Sequence, residues 1–263
     1  MFQYGGSTTV ALIGGIYNNI PALEACLVDA SYNGAGIFAF LGDMTGCCGH
    51  SNEAITLIRQ HFQIVLADNH IQKTSEGALV CGCDYNKFAD EKYGCLAHQY
   101  VMDSLSATHR EWLKTLPDKA VLETGQGKIL LCHGCEFPYE GQLDDFCLAG
   151  WIMEYGAVGI CCIHTGLPWV RNLSDSRFVV NCGDMGKSDN DGDPASGHYV
   201  LLRPKDDRFK VEIRRVEYNH GAWSRQLETE VVDQLFVGPD KAGVLTSGVA
   251  SIPWWEQERR CVS

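Results

Sequence analysis

The sequence predicts an α/β fold in which two packed sheets are covered by helices on both sides. Three observations carry this. Short apolar runs alternate with longer amphipathic stretches over residues 10–70, the strand–helix repeat of a parallel sheet with crossover helices. About ten strand-like segments follow along the chain, more than one open sheet comfortably holds. The 263 residues are 45% hydrophobic and 21% charged, ordinary for a globular chain with a sizeable core, so disorder is excluded as the dominant state.

The elements follow in order. Val10 to Ile13 is a buried strand that ends in Gly14-Gly15. Pro21 to Ala30 is a helix, with Pro21 suited to its first turn. Ile37 to Leu41 is a strand ending in Gly42-Asp43, Asn52 to His61 a helix, and Gln63 to Ala67 a strand ending in Asp68-Asn69-His70. The polar, Gly-containing stretch Ser75 to Lys92 reads as a loop, and Leu96 to Thr115 as a long helix stopped at Leu116-Pro117. Ala120 to Thr124 and Lys128 to Cys132 are two strands joined through Gly125-Gln126-Gly127. Leu143 to Tyr155 is a helix. Val158 to Ile163, Trp169 to Leu173, Phe178 to Asn181, Tyr199 to Leu202 and Phe209 to Val216 are strands. Ala222 to Leu235 is helix-like, and an irregular tail follows. No internal repeat, heptad array or Pro/Ser linker divides the chain, so residues 1–263 read as a single domain.

Charge and composition bound the partners. Lys and Arg total 21 against 33 Asp and Glu, a formal charge of −12. No run of clustered Lys or Arg supplies the basic stripe that a nucleic-acid backbone requires. A small phosphorylated substrate held by a metal stays open. No segment reaches the length of apolar residues needed for a membrane helix. Met1 to Thr9 is polar and does not resemble a secretion signal, so the expected location is the cytoplasm. The 13 cysteines are then expected as reduced thiols rather than a disulfide framework.

In an open α/β sheet the ligand site lies at the carboxyl ends of the strands. Within short, Gly-bounded turns at those ends stand Asp43, Asn69, His133 and His164. One carboxylate, one amide and two imidazoles suit a borderline divalent cation such as Mn, Fe, Zn or Ni better than Mg or Ca. Any one such turn residue is more often a turn former or helix cap than a ligand. Four in this arrangement are harder to dismiss.

The order Gly42-Asp43, Asn69-His70, His133-Gly134 and His164-Thr165 resembles the calcineurin-like metallophosphoesterases, in particular their bacterial Ser/Thr-phosphatase-like and dinucleoside-polyphosphatase-like branch. Asn19-Ile20-Pro21-Ala22-Leu23-Glu24-Ala25 is similar to the helix after that family's first motif. Asn181-Cys182-Gly183-Asp184-Met185-Gly186 is similar to the strand and turn after its His-Thr motif. The resemblance covers about residues 8–203, leaving 204–263 as a final strand, helix and tail. It implies a four-layer α/β/β/α sandwich and hydrolysis of phosphate esters or anhydrides with two adjacent metal ions, which polarise phosphoryl oxygens and acidify a bound water.

The chain departs from that pattern at one ion. The family's Asp-x-His reads Gly15-Ile16-Tyr17 here, and its Gly-His-Thr-His reads Ile163-His164-Thr165-Gly166. Three ligands of the first ion are thus lost, while Asp43, Asn69, His133 and His164, the set implied for the second, are retained. His70 matches the position implied to protonate the leaving group. Tyr17 reads as an aromatic filler of the emptied space, or as a hydroxyl donor.

Three functions follow as expectations. The first is a phosphoester hydrolase with one divalent transition metal (Mn, Fe or Zn), slow or altered in activity, acting on a small phosphorylated molecule. The second is an inactive family member that binds a ligand or partner in the old cleft. The third is a Cys-assisted metal or redox site. Here Cys135, Cys162 or Cys182 would add a soft ligand, against the ordinary reading of buried cysteines as small hydrophobes. His50, Asp68, Arg171, Lys187 and Asp189 are loop polar residues that nothing in the sequence assigns.

Overall fold

The structure is a computed structural model and describes residues 2–3, 8–46, 49–68, 71, 101, 103–134, 144–173, 175–186 and 196–229. Its elements run β1 (Phe2–Gln3), β2 (Thr9–Ile13), α1 (Ile20–Tyr32), β3 (Ala35–Phe40), α2 (Ser51–His61), β4 (Ile64–Val65), α3 (Ala107–Leu113), β5 (Lys119–Thr124), β6 (Gly127–Cys132), α4 (Asp145–Glu154), β7 (Gly159–Cys162), β8 (Pro168–Asn172), β9 (Phe178–Cys182), β10 (Ser196–Lys205), β11 (Arg208–Glu217) and α5 (His220–Thr229). They form a six-stranded sheet, β1-β5-β6-β7-β9-β8, and a five-stranded sheet, β11-β10-β2-β3-β4.

The central strands are apolar on both faces, and alternation sorts each side chain into a layer. Val10 and Leu12 of β2, Ile37 and Ala39 of β3, Ile129 and Leu131 of β6, Cys161 of β7 and Val180 of β9 meet between the sheets. Their neighbours Ala11, Ile13 and Phe40 face outward against Leu23 and Cys26 of α1, Ile55 and Ile58 of α2, Leu113 of α3 and Trp223 of α5. On the other side, Leu130, Ile160 and Val179 pack against Leu148 and Ile152 of α4. The result is the four-layer α/β/β/α sandwich expected. No helix among the described residues is long and apolar enough to cross a membrane.

Local chemistry sets the helix boundaries. Asn19 caps α1 by accepting from the Ala22 amide at 3.1 Å, and a proline occupies the first turn. Asp144 caps α4 through the Cys147 amide at 2.8 Å. The long helix expected over Leu96–Thr115 is interrupted. Ser106 is extended (φ −63°, ψ 151°) and caps α3 through the His109 amide. The break is held from α2, where the Asn52 amide donates to the Ser104 carbonyl and accepts from the Ser106 amide. A local amphipathic pattern gives no warning of an interhelical clamp. The other difference is β1, which pairs in parallel with β5 at the edge of the six-stranded sheet, where the sequence suggested only a polar terminus. Of the expected helix Ala222–Leu235, the described part ends at Thr229, and the loop Ser75–Lys92 lies outside the described residues.

The outer face of the five-stranded sheet is fastened by one polar cluster. Arg214 of β11 donates two hydrogen bonds to the Asp29 carboxylate of α1, at 2.7 and 3.0 Å, and the buried Tyr199 hydroxyl of β10 donates to it at 2.7 Å. The Arg214 guanidinium, with help from Tyr199, holds the Asp29 carboxyl below its usual range. A group whose folded value is lowered stabilises the fold above its unfolded value, and that contribution is lost as pH falls through the folded value. Asp29→Ala is therefore expected to cost about 1–3 kcal/mol at neutral pH by urea unfolding, since it strands a buried hydroxyl and a guanidinium. The gap between the native and variant proteins should shrink as the pH is taken below about 4. A gap that is constant with pH would contradict this account.

Candidate metal centre at the strand ends

The carboxyl ends of β2, β3 and β4 from one sheet meet those of β6, β7 and β9 from the other. The Gly186 amide, after β9, donates to the Gly15 carbonyl, after β2, at 2.8 Å, while within each sheet the Gly15 amide donates to the Gly42 carbonyl and the Ile163 amide to the His133 carbonyl, both at 3.0 Å. Backbone strain gathers here. Non-glycine residues with positive φ include Tyr17, Asn18, Asp43, His50 and His164, all on turns that leave strands of the two sheets or enter α2. Such conformations cost about 1–3 kcal/mol each and persist where surrounding structure over-determines them, commonly at functional sites.

Asp43, His133 and His164, predicted from the sequence, are brought together. His133 is 5% exposed. Its Nδ1 lies 3.1 Å from the Leu41 carbonyl oxygen, which can only accept, so Nδ1 carries the proton. In that tautomer the ring presents a lone pair at Nε2. That atom faces His164 Nδ1 at 3.1 Å and Asp43 Oδ1 at 3.8 Å. The two rings meet edge to face, their centroids 5.0 Å apart. Gly42 makes this approach possible, for a Cβ there would stand 2.7 Å from His133 Nδ1.

The donors suit a first-row divalent ion. Two ligands bound at roughly 2.0–2.1 Å stand about 3.3–3.4 Å apart around a tetrahedral ion and about 3.0 Å apart at right angles. The His133–His164 separation falls in that range, and the Asp43 oxygen lies a few tenths of an ångström beyond it. A ligating imidazole that donates its other N–H to a backbone carbonyl is the usual outer-shell arrangement of a metal histidine. As the side chains stand, the two imidazoles share a direct N–H···N contact. Among the described residues no three His, Cys, Asp or Glu side chains form a group that could hold an ion as they stand, so the His133–His164 contact would have to open to admit one. Asn69 and His70 lie outside the described residues.

Residues that the sequence left unassigned hold these donors in place. Asp68 is 2% exposed, and its carboxylate accepts from the Asp43 amide and the Ile71 amide, both at 2.7 Å. It pins the strained Asp43 turn from β4. Asn181 donates to the Ile163 carbonyl and to Thr165 Oγ1, and accepts from the Gly183 amide, so the turn bearing His164 is tied to the end of β9. The Tyr17 hydroxyl donates to Asp43 Oδ2 at 3.0 Å, so the residue is more than an aromatic filler. Burial, then the charges of Asp43 and Asp184, hold its phenol well above the ordinary value, and it stays protonated. Asp184, which the sequence reading did not select, is 1% exposed.

Other candidates take ordinary parts. His50 occupies the N-cap of α2 and lies 3.9 Å from Glu53. Arg171 pairs with Asp145 of α4 at 2.9 Å. Lys187 and Asp189 lie outside the described residues. Cys182 faces the core between the sheets, and Cys162 faces the opposite layer under α4. The Cys162 thiol lies 3.6 Å from the Val180 carbonyl, and burial pushes the Cys182 thiol up. Both therefore serve as small core side chains, not as soft ligands to the cleft. Cys135 lies outside the described residues.

No family model matches the chain. An uncharacterized protein of Methanocaldococcus jannaschii is 26% identical over 238 residues, covering 80% of this chain and 88% of its own length. A metallophosphoesterase from Sphaerobacter thermophilus superposes with a TM-score of 0.66 at 22% identity, covering 93% of this chain and 100% of its own. A hypothetical protein from Pyrococcus horikoshii gives a TM-score of 0.66 at 18% identity, covering 90% of this chain and 97% of its own. The chain therefore has the metallophosphoesterase fold, and the resemblance read from the sequence is borne out at that level.

Asp68→Ala would leave one buried and one partly buried amide without their acceptor, a buried one costing about 1–3 kcal/mol. The expected loss of stability in urea is about 2–4 kcal/mol, and a loss below about 0.5 kcal/mol would show that Asp68 does not anchor the turn.

Proposed function

Starting from a metallophosphoesterase fold, we propose that the chain is a single-cation phosphoester hydrolase, slow or altered in activity, acting on a small phosphorylated molecule. The observation that carries this reading is the approach of His133 Nε2 to both His164 Nδ1 and Asp43 Oδ1, with His133 Nδ1 on the Leu41 carbonyl. Asn69, next in sequence to the anchored Asp68, completes the proposed ligand set. Mn, Fe and Zn all suit two imidazoles and two oxygens.

A bound divalent ion would supply Lewis-acid polarisation of a phosphoryl oxygen and lower the pKa of a water molecule. The chain's own groups do the rest. Asp43 contributes the negative charge that offsets the cation, and the two histidines fix its place. Water attacks phosphorus, the bond from phosphorus to the leaving oxygen breaks, and that oxygen takes a proton from His70 in its acid form, which the proton lost by the attacking water restores through solvent. With one ion, attacking and leaving oxygens are not clamped symmetrically, so the demand on His70 is greater. Cytoplasmic placement belongs to the same reading.

The test is hydrolysis of p-nitrophenyl phosphate and phenyl phosphate by protein loaded with Mn or Zn. Metal-dependent turnover is expected in the native protein, with loss of both bound metal and turnover in Asp43→Ala. His70→Ala should keep its metal and lose about 10²-fold in kcat, more on the phenyl ester, whose poorer leaving group needs the proton. A folded, metal-loaded protein with no turnover on either ester would turn the reading to a ligand-binding protein without catalysis.

A further inference from the structure

This inference rests on the cation reading above and concerns how Asp43 meets the ion. Tyr17 lies on the turn that leaves β2, with φ 46°, next to Asn18 with φ 65°. A left-handed backbone at an aromatic residue is an outlier that neighbouring structure must hold. Here the hold is extensive. The Tyr17 amide donates to the Asp43 carbonyl at 3.2 Å, the Asn18 amide to the Met44 carbonyl at 3.1 Å and the Asn19 amide to the Ile16 carbonyl at 2.7 Å. The buried Asn18 side chain donates to Ser51 Oγ at 3.0 Å. A Cβ at Gly46 would stand 3.0 Å from Tyr17 Cβ, so the Asp43 loop closes directly over the tyrosine. The strained turn and the Asp43 turn are thus fastened as one unit.

That unit delivers one contact to the site. The Tyr17 hydroxyl donates to Asp43 Oδ2 at 3.0 Å, while the other carboxylate oxygen, Oδ1, faces His133 Nε2 at 3.8 Å. The space beside the tyrosine is filled too. A Cβ at residue 15 would stand 2.5 Å from Asp184 Cβ, and one at residue 166 would stand 2.8 Å from Asp184 Oδ2. Asp184 lies where side chains at 15 and 166 would project. The identities of the three residues are sterically linked, and ligands at 15 and 166 require Asp184 to move.

We infer that Tyr17 is a positioning residue: its hydroxyl engages Asp43 Oδ2, leaves Oδ1 as the single oxygen for the cation, and with Asp184 restricts the cleft to one ion. A hydrogen-bond partner that orients a metal ligand is worth about 10–100-fold in metal affinity. A space-filling aromatic is worth nothing of the kind, because phenylalanine fills the same space.

The experiment titrates Co²⁺ into metal-free native protein, Tyr17→Phe and Asp43→Ala, following calorimetry and the visible ligand-field absorption of the bound ion. Thermal unfolding without metal checks each fold. One ion per native chain is expected, with affinity lower by about 10–100-fold in Tyr17→Phe and an altered absorption band as the freed carboxylate rearranges. A Tyr17→Phe affinity within about threefold of native with an unchanged band, or two ions per native chain, overturns the inference and leaves the cation reading intact. Native affinity retained by Asp43→Ala overturns both. Should Tyr17→Phe fail to fold, a crystal structure of the Zn-loaded native protein decides. Asp43 bound through Oδ1 with Tyr17 on Oδ2 supports the inference, and Asp43 bound through both oxygens overturns it.

Discussion

The hydrogen bond between His133 Nδ1 and the Leu41 carbonyl is the interaction on which the rest of the site depends. It crosses from the six-stranded sheet to the five-stranded sheet at 3.1 Å. A carbonyl accepts and never donates, so this one contact fixes the ring tautomer and directs the Nε2 lone pair towards His164 and Asp43. It also spans the layer that holds the two sheets together. The apolar packing of Leu12, Leu41, Leu131 and Ile163 therefore sets the distance between the proposed ligand side chains. The sandwich is the ruler for the site.

The rim of the sandwich is conformationally costly where the core is regular. Left-handed backbone at Tyr17, Asn18, Asp43 and His164 is maintained by buried polar anchors. Asp68 takes the Asp43 amide, Asn181 takes the turn after β7, and Asn18 reaches Ser51 at the start of α2. Each confines a turn that carries a proposed ligand to one geometry, which is how a site on loops gains the precision of one on rigid elements.

Much of this was legible in the residues. The apolar runs of β2, β3, β6, β7 and β9 announce buried strands, and glycines after them mark the exits where Asp43, His133 and His164 stand. The layer assignment follows from alternation alone. What escaped depends on partners distant in sequence. Ser106 breaks an amphipathic stretch because Asn52 clamps it from another helix. Asp68 reads as a loop acid until its carboxylate is seen on two amides. Tyr17 reads as filler or as a hydroxyl donor, and only the structure names Asp43 as its acceptor. Asp184 carried the faintest signal, an acid on a Gly-bounded turn matched by two glycines, 15 and 166, where side chains would otherwise meet it. Asn69 and His70 lie outside the described residues, and their parts rest on the resemblance and on their place beside Asp68.

Anomalous diffraction from crystals grown with manganese or zinc, collected at the edge of the metal, tests the central claim most directly. The account predicts one peak per chain within bonding distance of His133 Nε2, His164 Nδ1 and Asp43 Oδ1, with His133 Nδ1 still on the Leu41 carbonyl. A cleft with no peak at saturating metal, or a peak that leaves either imidazole unligated, would contradict it.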